Sequence, residues 1–441
     1  MNLLFICNEY PPGRSGGIGS ITRALARSLV AAGHQVFVAG LYAPGYGQAD
    51  YEEDQGVRVW RRRFGLDIGL IRNDYSKTDT LLLELFRRSG LSRRDTVRSV
   101  RAFSVFVGEL IGKFRIDLVE WPDFNEYFAH LPASFSWPAL PVPLVVKFHG
   151  TASYIYRQMQ EPVDQTTFLL EKKHMERADA LVSVSRNTAE NYASFYGLTR
   201  RIGVLYNSIE VPGVRTNGLS PTDDKAGGSA QTSDPAGIPS PEAARTIVYT
   251  GALSRVKGIH SLMEAWPLVL RKRPDAILRV FGKGRPSSLL ARLPEQARNS
   301  VRFEGFVTKD RLYEALSGAA AAIFPSYTEC FALAPLEAMA VGCPVIFTER
   351  VSGPELIETG VNGLLINPDD YGQMAEAMLS LLEDVEKRKT FSRNGRQTIL
   401  ERFDIRKSVK DHIRFYEELI INYQARMQRS DPNRTPAQNK T

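Results

Sequence analysis

Hydrophobic residues in this chain fall into two alternating patterns. Short unbroken apolar runs bounded by turn residues predict buried strands, and stretches with an apolar residue every third or fourth position predict helices. "NLLFIC" at Asn2 is a strand of the first kind, followed by the turn-rich "NEYPPGRSGGIGS". "ITRALARSLVAAG" is then a helix closing at Gly33, with Ile21, Leu25, Ser28, Leu29 and Ala32 on the 3.6-residue period, and "QVFVAG" is the next strand. Further strands are expected at "VRVW", "IDLVEW", "PLVVKF", "ALVSVS" and "IGVLY", with helices between most of them. Thr96 to Phe114 is the clearest helix, with Val97, Val100, Phe103, Phe106, Val107, Leu110, Ile111 and Phe114 on one stripe.

The pattern stops at Gly213. From there to Arg245 the chain is rich in Gly, Pro, Ser, Thr and Asp and cannot build a core, which predicts a mobile linker. Alternation then resumes: "TIVYT", a helix over about 258–272, "AILRVF", "VRFEGF", a helix near Arg311, "AAIF", a helix after Pro335, "PVIF" and "GLLI". Long helices follow at about 371–388 and 405–425, and the polar tail from Arg429 is expected to fray. Two successive runs of this kind imply an α/β fold of two doubly wound domains facing each other. The expected boundaries are 1–212, a linker at 213–245, 246–403, a C-terminal helix at 404–428 packing back on the first domain, and a disordered tail at 429–441. Ligands of open α/β sheets bind beyond the carboxyl ends of the strands, which places a site in the cleft.

Composition narrows the class. Hydrophobic residues make up 43% of the chain, enough for real cores. No stretch approaches a membrane span, and the start, "MNLLFICNEYPPG", has no basic leader of a signal peptide. Cys7, Cys330 and Cys343 form no CxxC pair, which argues against a disulfide framework or zinc site and fits a reducing cytoplasm. Between Arg58 and Arg115, Lys and Arg outnumber Asp and Glu by 14 to 6, a local charge of +8 against +7 for the whole chain. This segment is read as a solvated basic face, an anionic-ligand site, or a surface for the inner membrane face, where Leu81, Leu82, Leu85 and Phe86 would dip into lipid. No helix-turn-helix, zinc or aromatic-basic motif supports nucleic-acid binding.

The chemistry concentrates in "YTECFALAPLEAMAVGCPVI", from Tyr327 to Ile346. Glu329 and Glu337 bracket an apolar stretch, and carboxylates are costly to bury without a partner. With Pro335 at the first helical position, Glu337 is expected in the first turn of a helix whose N-terminus faces the cleft and suits a phosphate. Glu337 would then take ligand hydroxyls and Glu329 a second polyol group; the alternative is two carboxylates in solvent. "TGALSRVKG" leaves another strand end and carries Arg255 and Lys257 close to a helix start, where cations are unfavourable unless an anion joins them. "SGGIGS" lets backbone approach a phosphate, but Thr22 stands where a dinucleotide fingerprint needs its third glycine.

These motifs, with "VRFEGFV" and "SGPELIETGVNGLLI", resemble the retaining glycosyltransferase family 4, which has the GT-B fold of two Rossmann-like domains. The resemblance implies an enzyme that transfers a sugar from a nucleotide diphosphate sugar to a saccharide or lipid-linked acceptor hydroxyl, in glycan, polysaccharide or glycolipid biosynthesis. The N-terminal domain would hold the acceptor and the C-terminal domain the donor. It implies that Glu329 contacts the donor sugar, Glu337 holds the ribose, Lys257 neutralises the diphosphate and His149 lies near the sugar. Phe331, Ala332 and Leu333 would line the sugar and diphosphate, Val307 the base, and Gly16 and Gly17 would face the diphosphate from across the cleft. Ala252 occupies the place of an arginine usual in the family, for which Arg255 is the expected substitute, and Ala332 replaces a usual glycine. With no D-x-D sequence, no metal and no further cofactor are expected. A sugar-nucleotide epimerase and a nucleotide-binding, non-catalytic partner subunit are the alternative readings.

Overall fold

Apolar runs become central strands because both faces of a parallel sheet are covered. The computed structural model describes residues 1–13, 16–65, 90–213 and 241–430. Most of the predicted linker, residues 431–441 of the tail, and Leu81, Leu82, Leu85 and Phe86 lie outside the described residues.

The first half forms one sheet from β1 (Asn2–Ile6), β2 (Gln35–Tyr42), β3 (Tyr51–Asp54), β4 (Val57–Arg63), β5 (Leu118–Pro122), β6 (Leu144–Phe148), β7 (Ala180–Ser183) and β8 (Ile202–Val204). Their order is β3-β4-β2-β1-β5-β6-β7-β8, parallel except for the β3–β4 edge pair. The β3 sequence "YEED" carries no apolar run and was not expected as a strand. It forms because Gln55 and Gly56 both take left-handed backbone (φ 51° and 83°), the geometry of a tight two-residue hairpin.

The second half builds β9 (Thr246–Thr250), β10 (Ile277–Phe281), β11 (Val301–Gly305), β12 (Ala321–Phe324), β13 (Val345–Thr348) and β14 (Leu364–Ile366). All pair in parallel, in the order β11-β10-β9-β12-β13-β14. The helix expected over 371–388 is two helices, Tyr371–Glu383 and Val385–Thr398. Asp384 separates them: its backbone is extended and its carboxylate caps the second helix by accepting from the Lys387 N–H.

Each sheet reverses direction beside its first strand, between β1 and β5 and between β9 and β12. Two contacts set the halves against each other. The Glu355 carboxylate accepts from the N–H groups of Arg186 and Asn187 (2.9 Å each) and from the Tyr206 hydroxyl (2.8 Å), so it caps helix Arg186–Tyr196 of the other half. Beside it Tyr206, Phe331 and Phe403 form an aromatic cluster with centroids 5.4–5.7 Å apart.

The last helix, Ile405–Ser430, packs on the first sheet, where Ile405, Val409 and Tyr416 share a core with Leu3, Phe5 and Val145. Beneath it lies a buried polar cluster. The Tyr416 hydroxyl donates to Glu120 (2.5 Å), whose other oxygen is 3.8 Å from the Lys147 ammonium, itself 3.2 Å from His412 Nε2. Burial and the Lys147 charge push the His412 imidazole down to about 3, so it stays neutral and can accept from the lysine.

The basic segment is not one exposed face. Arg61 is fully buried, donating to Glu52 (2.6 Å) and to the carbonyls of Ala49, Tyr10 and Pro11. Arg63 pairs with Asp50 (2.7 Å). Arg93, Arg94, Arg98 and Arg101, on helix Leu91–Phe114, are exposed. No helix among the described residues is long and apolar enough to cross a membrane.

Candidate active site

A cavity of about 310 Å³ opens between the two sheets. Its C-terminal wall comes from the ends of β9 (Tyr249, Thr250, Gly251) and β12 (Phe324, Ser326), with Lys257, Glu329 and the run from Cys330 to Pro335. Its N-terminal wall is Gly17, Ile18, His149 and Asn207. The site thus sits at the switch point of the second sheet, opposite the start of the first helix, as the topology demands.

Lys257 reaches the cavity because of the next residue. Gly258 has φ 70°, and a Cβ there would lie 1.8 Å from the Pro325 carbonyl oxygen, so only glycine lets the loop pass strand β12 and start helix Ile259–Lys272. The Lys257 ammonium meets Glu329 at 2.5 Å, and Glu329 also accepts from Ser326 Oγ at 3.1 Å. Among the described residues Lys257 is the one lysine or arginine in the cavity lining. Arg255 is exposed and does not line the cavity, and neither does the exposed Ala252.

Helix Leu333–Ala340 begins earlier than expected, with Ala332 as its N-cap. Pro335 therefore stands third, not first. It is tolerated there because N–H groups of the first turn have no partner within the helix. Glu337 falls in the second turn, outside the cavity lining, paired to Lys309 at 2.8 Å. Ala332 adopts φ −75° and ψ 130°, ordinary for any L-residue, so the absent glycine costs no strain. Phe331, Ala332 and Leu333 line the cavity; half-buried Val307 does not.

The glycine-rich turn differs from its expected use. Its N–H groups face a carboxylate of the same chain, because Glu9 accepts from the Gly19 N–H (2.8 Å) at the start of helix Gly17–Ala31, with Gly16 and Ile18 adding weaker support. A Cβ at Gly16 would lie 2.8 Å from that carboxylate. The anion position at this helix end is filled from within. Gly17 still lines the cavity; Gly16 does not.

His149 follows β6 and is held by its backbone. Buried Asp123 accepts from the N–H groups of His149 (2.8 Å) and Gly150 (3.3 Å) and from the Tyr192 hydroxyl (2.7 Å). Behind it the Tyr196 hydroxyl bridges Thr151 (2.5 Å) to Glu171 (2.8 Å). Burial, reinforced by the Lys147 charge, keeps the His149 imidazole well below its usual pKa, so a neutral ring faces the cavity.

Burial also pushes the Asp123 carboxyl up to about 6 and Glu171 up to about 7, against the hydrogen bonds they accept. An unfolded aspartate titrates near 4. Over pH 4–6 the folded chain therefore holds a proton at Asp123 that the unfolded chain has released, and the stability this gives is lost as pH rises through 6. Asp123→Asn should gain stability relative to the wild type by roughly 2–3 kcal/mol between pH 4 and pH 7. Urea midpoints at the two pH values measure it, and a difference independent of pH would refute the assignment.

Glu9, Asn207, Ser326 and Lys309 were not singled out in the sequence. Glu9 had a signal, since a carboxylate in the loop just before a glycine-rich helix start is a natural cap. The Asn207 amide oxygen is buried with no hydrogen-bond partner among the described residues, beside the cavity that its residue lines.

Known proteins share this fold. Residues 15–211 match the profile described as Glycosyltransferase Family 4, and residues 244–384 match that of Glycosyl transferases group 1. Glycogen synthase of Mycobacterium tuberculosis is 26% identical over 418 residues, covering 92% of this chain and 91% of that one. Among solved structures, sucrose-phosphate synthase of Thermosynechococcus elongatus superposes with a TM-score of 0.66 at 19% identity, covering 96% of this chain and 99% of that one. HepE of Anabaena, in complex with UDP and glucose, gives 0.63 at 16% identity, covering 95% and 99%. Two parallel doubly wound sheets with a site across their cleft, matched by both profiles, define a glycosyltransferase of the GT-B architecture. The chain is a family 4-type glycosyltransferase.

Proposed function

We propose that the enzyme transfers a sugar, with retention of configuration, from a nucleoside diphosphate sugar to an acceptor hydroxyl. The carrying observation is the convergence of Lys257, Glu329 and the start of helix Leu333–Ala340 on one cavity wall, with neutral His149 on the other. Lys257 and the free N–H groups of the helix start receive the diphosphate, whose charge grows as the bond from its oxygen to the anomeric carbon breaks. The sugar passes through an oxocarbenium-like state, with the Glu329 carboxylate nearby. The acceptor oxygen bonds to the anomeric carbon from the leaving-group side, and its proton passes to the departing phosphate oxygen. No metal is needed for this reading, since Lys257 and the helix end carry the leaving-group charge. His149, uncharged, offers a hydrogen bond to sugar hydroxyls without competing for the diphosphate.

HepE's complexes with UDP and glucose support a nucleotide-sugar donor, and the name glycogen synthase supports a saccharide acceptor in polysaccharide or glycan biosynthesis. Any peripheral contact with an anionic cytoplasmic membrane face would draw, among the described residues, on exposed Arg93, Arg94, Arg98 and Arg101, with Arg62, Lys113 and Arg115 exposed as well. Thermal-shift measurement with UDP-, GDP- and ADP-sugars should single out one donor class, because binding to the folded state raises the melting temperature. The matched donor, incubated with candidate acceptors, should give a product whose anomeric proton coupling in NMR equals that of the donor. An inverted anomer refutes retention, and sugar epimerisation without transfer refutes the reaction class.

A further inference from the structure

Each carboxylate of the Glu329–Glu337 pair has its own lysine. Glu329 holds Lys257 at 2.5 Å and Glu337 holds Lys309 at 2.8 Å, although Lys309 comes from a different helix, Lys309–Ser317. The Lys309 side chain is 65% exposed and that of Glu337 only 15%. An ion pair so open on one side adds little to folding stability, so stability alone does not account for its placement.

Position gives a better account. Glu337 lies two residues beyond Pro335, where the cavity wall ends, on the helix whose start would receive the diphosphate. A carboxylate there suits two adjacent hydroxyls, because its two oxygens accept them together. Left alone, it would also repel the diphosphate approaching the same helix. Lys309 removes that conflict. It cancels the charge and restrains one oxygen, leaving the other oxygen and the remaining lone pairs to a ligand. The two glutamates are thus treated alike, each neutralised from a neighbouring loop or helix before any ligand arrives.

We propose that Lys309 is a positioning residue of the donor site, neutralising and orienting Glu337 so that it takes the vicinal hydroxyls of a nucleoside diphosphate without repelling the diphosphate. This rests on the nucleotide-donor reading above. Calorimetric titration of the full chain with UDP, GDP and ADP tests it, together with Lys309→Met, Lys309→Arg, Glu337→Gln and the Lys309→Met/Glu337→Gln pair. Lys309→Met should weaken the bound nucleotide roughly tenfold, and Lys309→Arg should restore most of the loss. In the Glu337→Gln background Lys309→Met should change nothing, since there is no charge left to neutralise. A Lys309→Met protein that binds like the wild type, or that loses the same factor in both backgrounds, overturns the proposal. A wild type that binds none of the three nucleotides overturns the donor reading, and this inference falls with it.

Discussion

Lys257→Ala lowers turnover by about two to three orders of magnitude, the usual cost of removing one well-aimed group from a developing charge. It is the one lysine or arginine among the described residues of the cavity wall, and Gly258 fixes its approach. Arg255→Ala should cost much less, because Arg255 is exposed and outside that wall. Steady-state kinetics with the matched donor compare the two. Equal losses would show that Arg255 enters the site during turnover; an active Lys257→Ala enzyme would remove Lys257 from the chemistry.

Glu329→Gln should separate turnover from binding. Among the described residues the carboxylate accepts from Lys257 and Ser326. Neutralising it releases Lys257 from an ion pair, so a nucleoside diphosphate should bind as tightly as before or more tightly. Turnover should still fall by about 10²–10³, because the positive charge proposed to grow on the sugar loses a carboxylate of the cavity wall. Calorimetry with the diphosphate and kinetics with the donor provide the two readouts. Parallel losses in both would mean that Glu329 merely supports the loop.

Much of this was legible in the chain. Central strands such as "LVVKF" and "AAIF" are buried on both faces, so their apolar runs survive whatever surrounds them. The loop bearing Glu329 could be placed at a strand's carboxyl end for the same reason. What escaped depends on distance in sequence or on local geometry. Strand β3 owes its existence to a turn and to its pairing with β4, not to its own residues. Choosing between Arg255 and Lys257 required knowing how the backbone turns at Gly258 against Pro325. The glycine-rich turn reads as an anion site until Glu9 is seen to fill it. Lys309 and Glu337 are 28 positions apart and meet only when two helices pack.

The helix Ile405–Ser430 bears on how such an enzyme can be rebuilt. It follows the second half in the chain yet supplies His412 and Tyr416 to the buried polar cluster of the first. Expressing residues 1–212 as a free-standing fragment would leave Lys147 and Glu120 uncovered beneath a missing roof, with apolar residues of β1 and β6 exposed beside them. A chimera that grafts a new second half should therefore exchange only the segment from Thr246 to Phe403, and keep this helix with its native first half. The modules of the sequence and the modules of exchange have different ends.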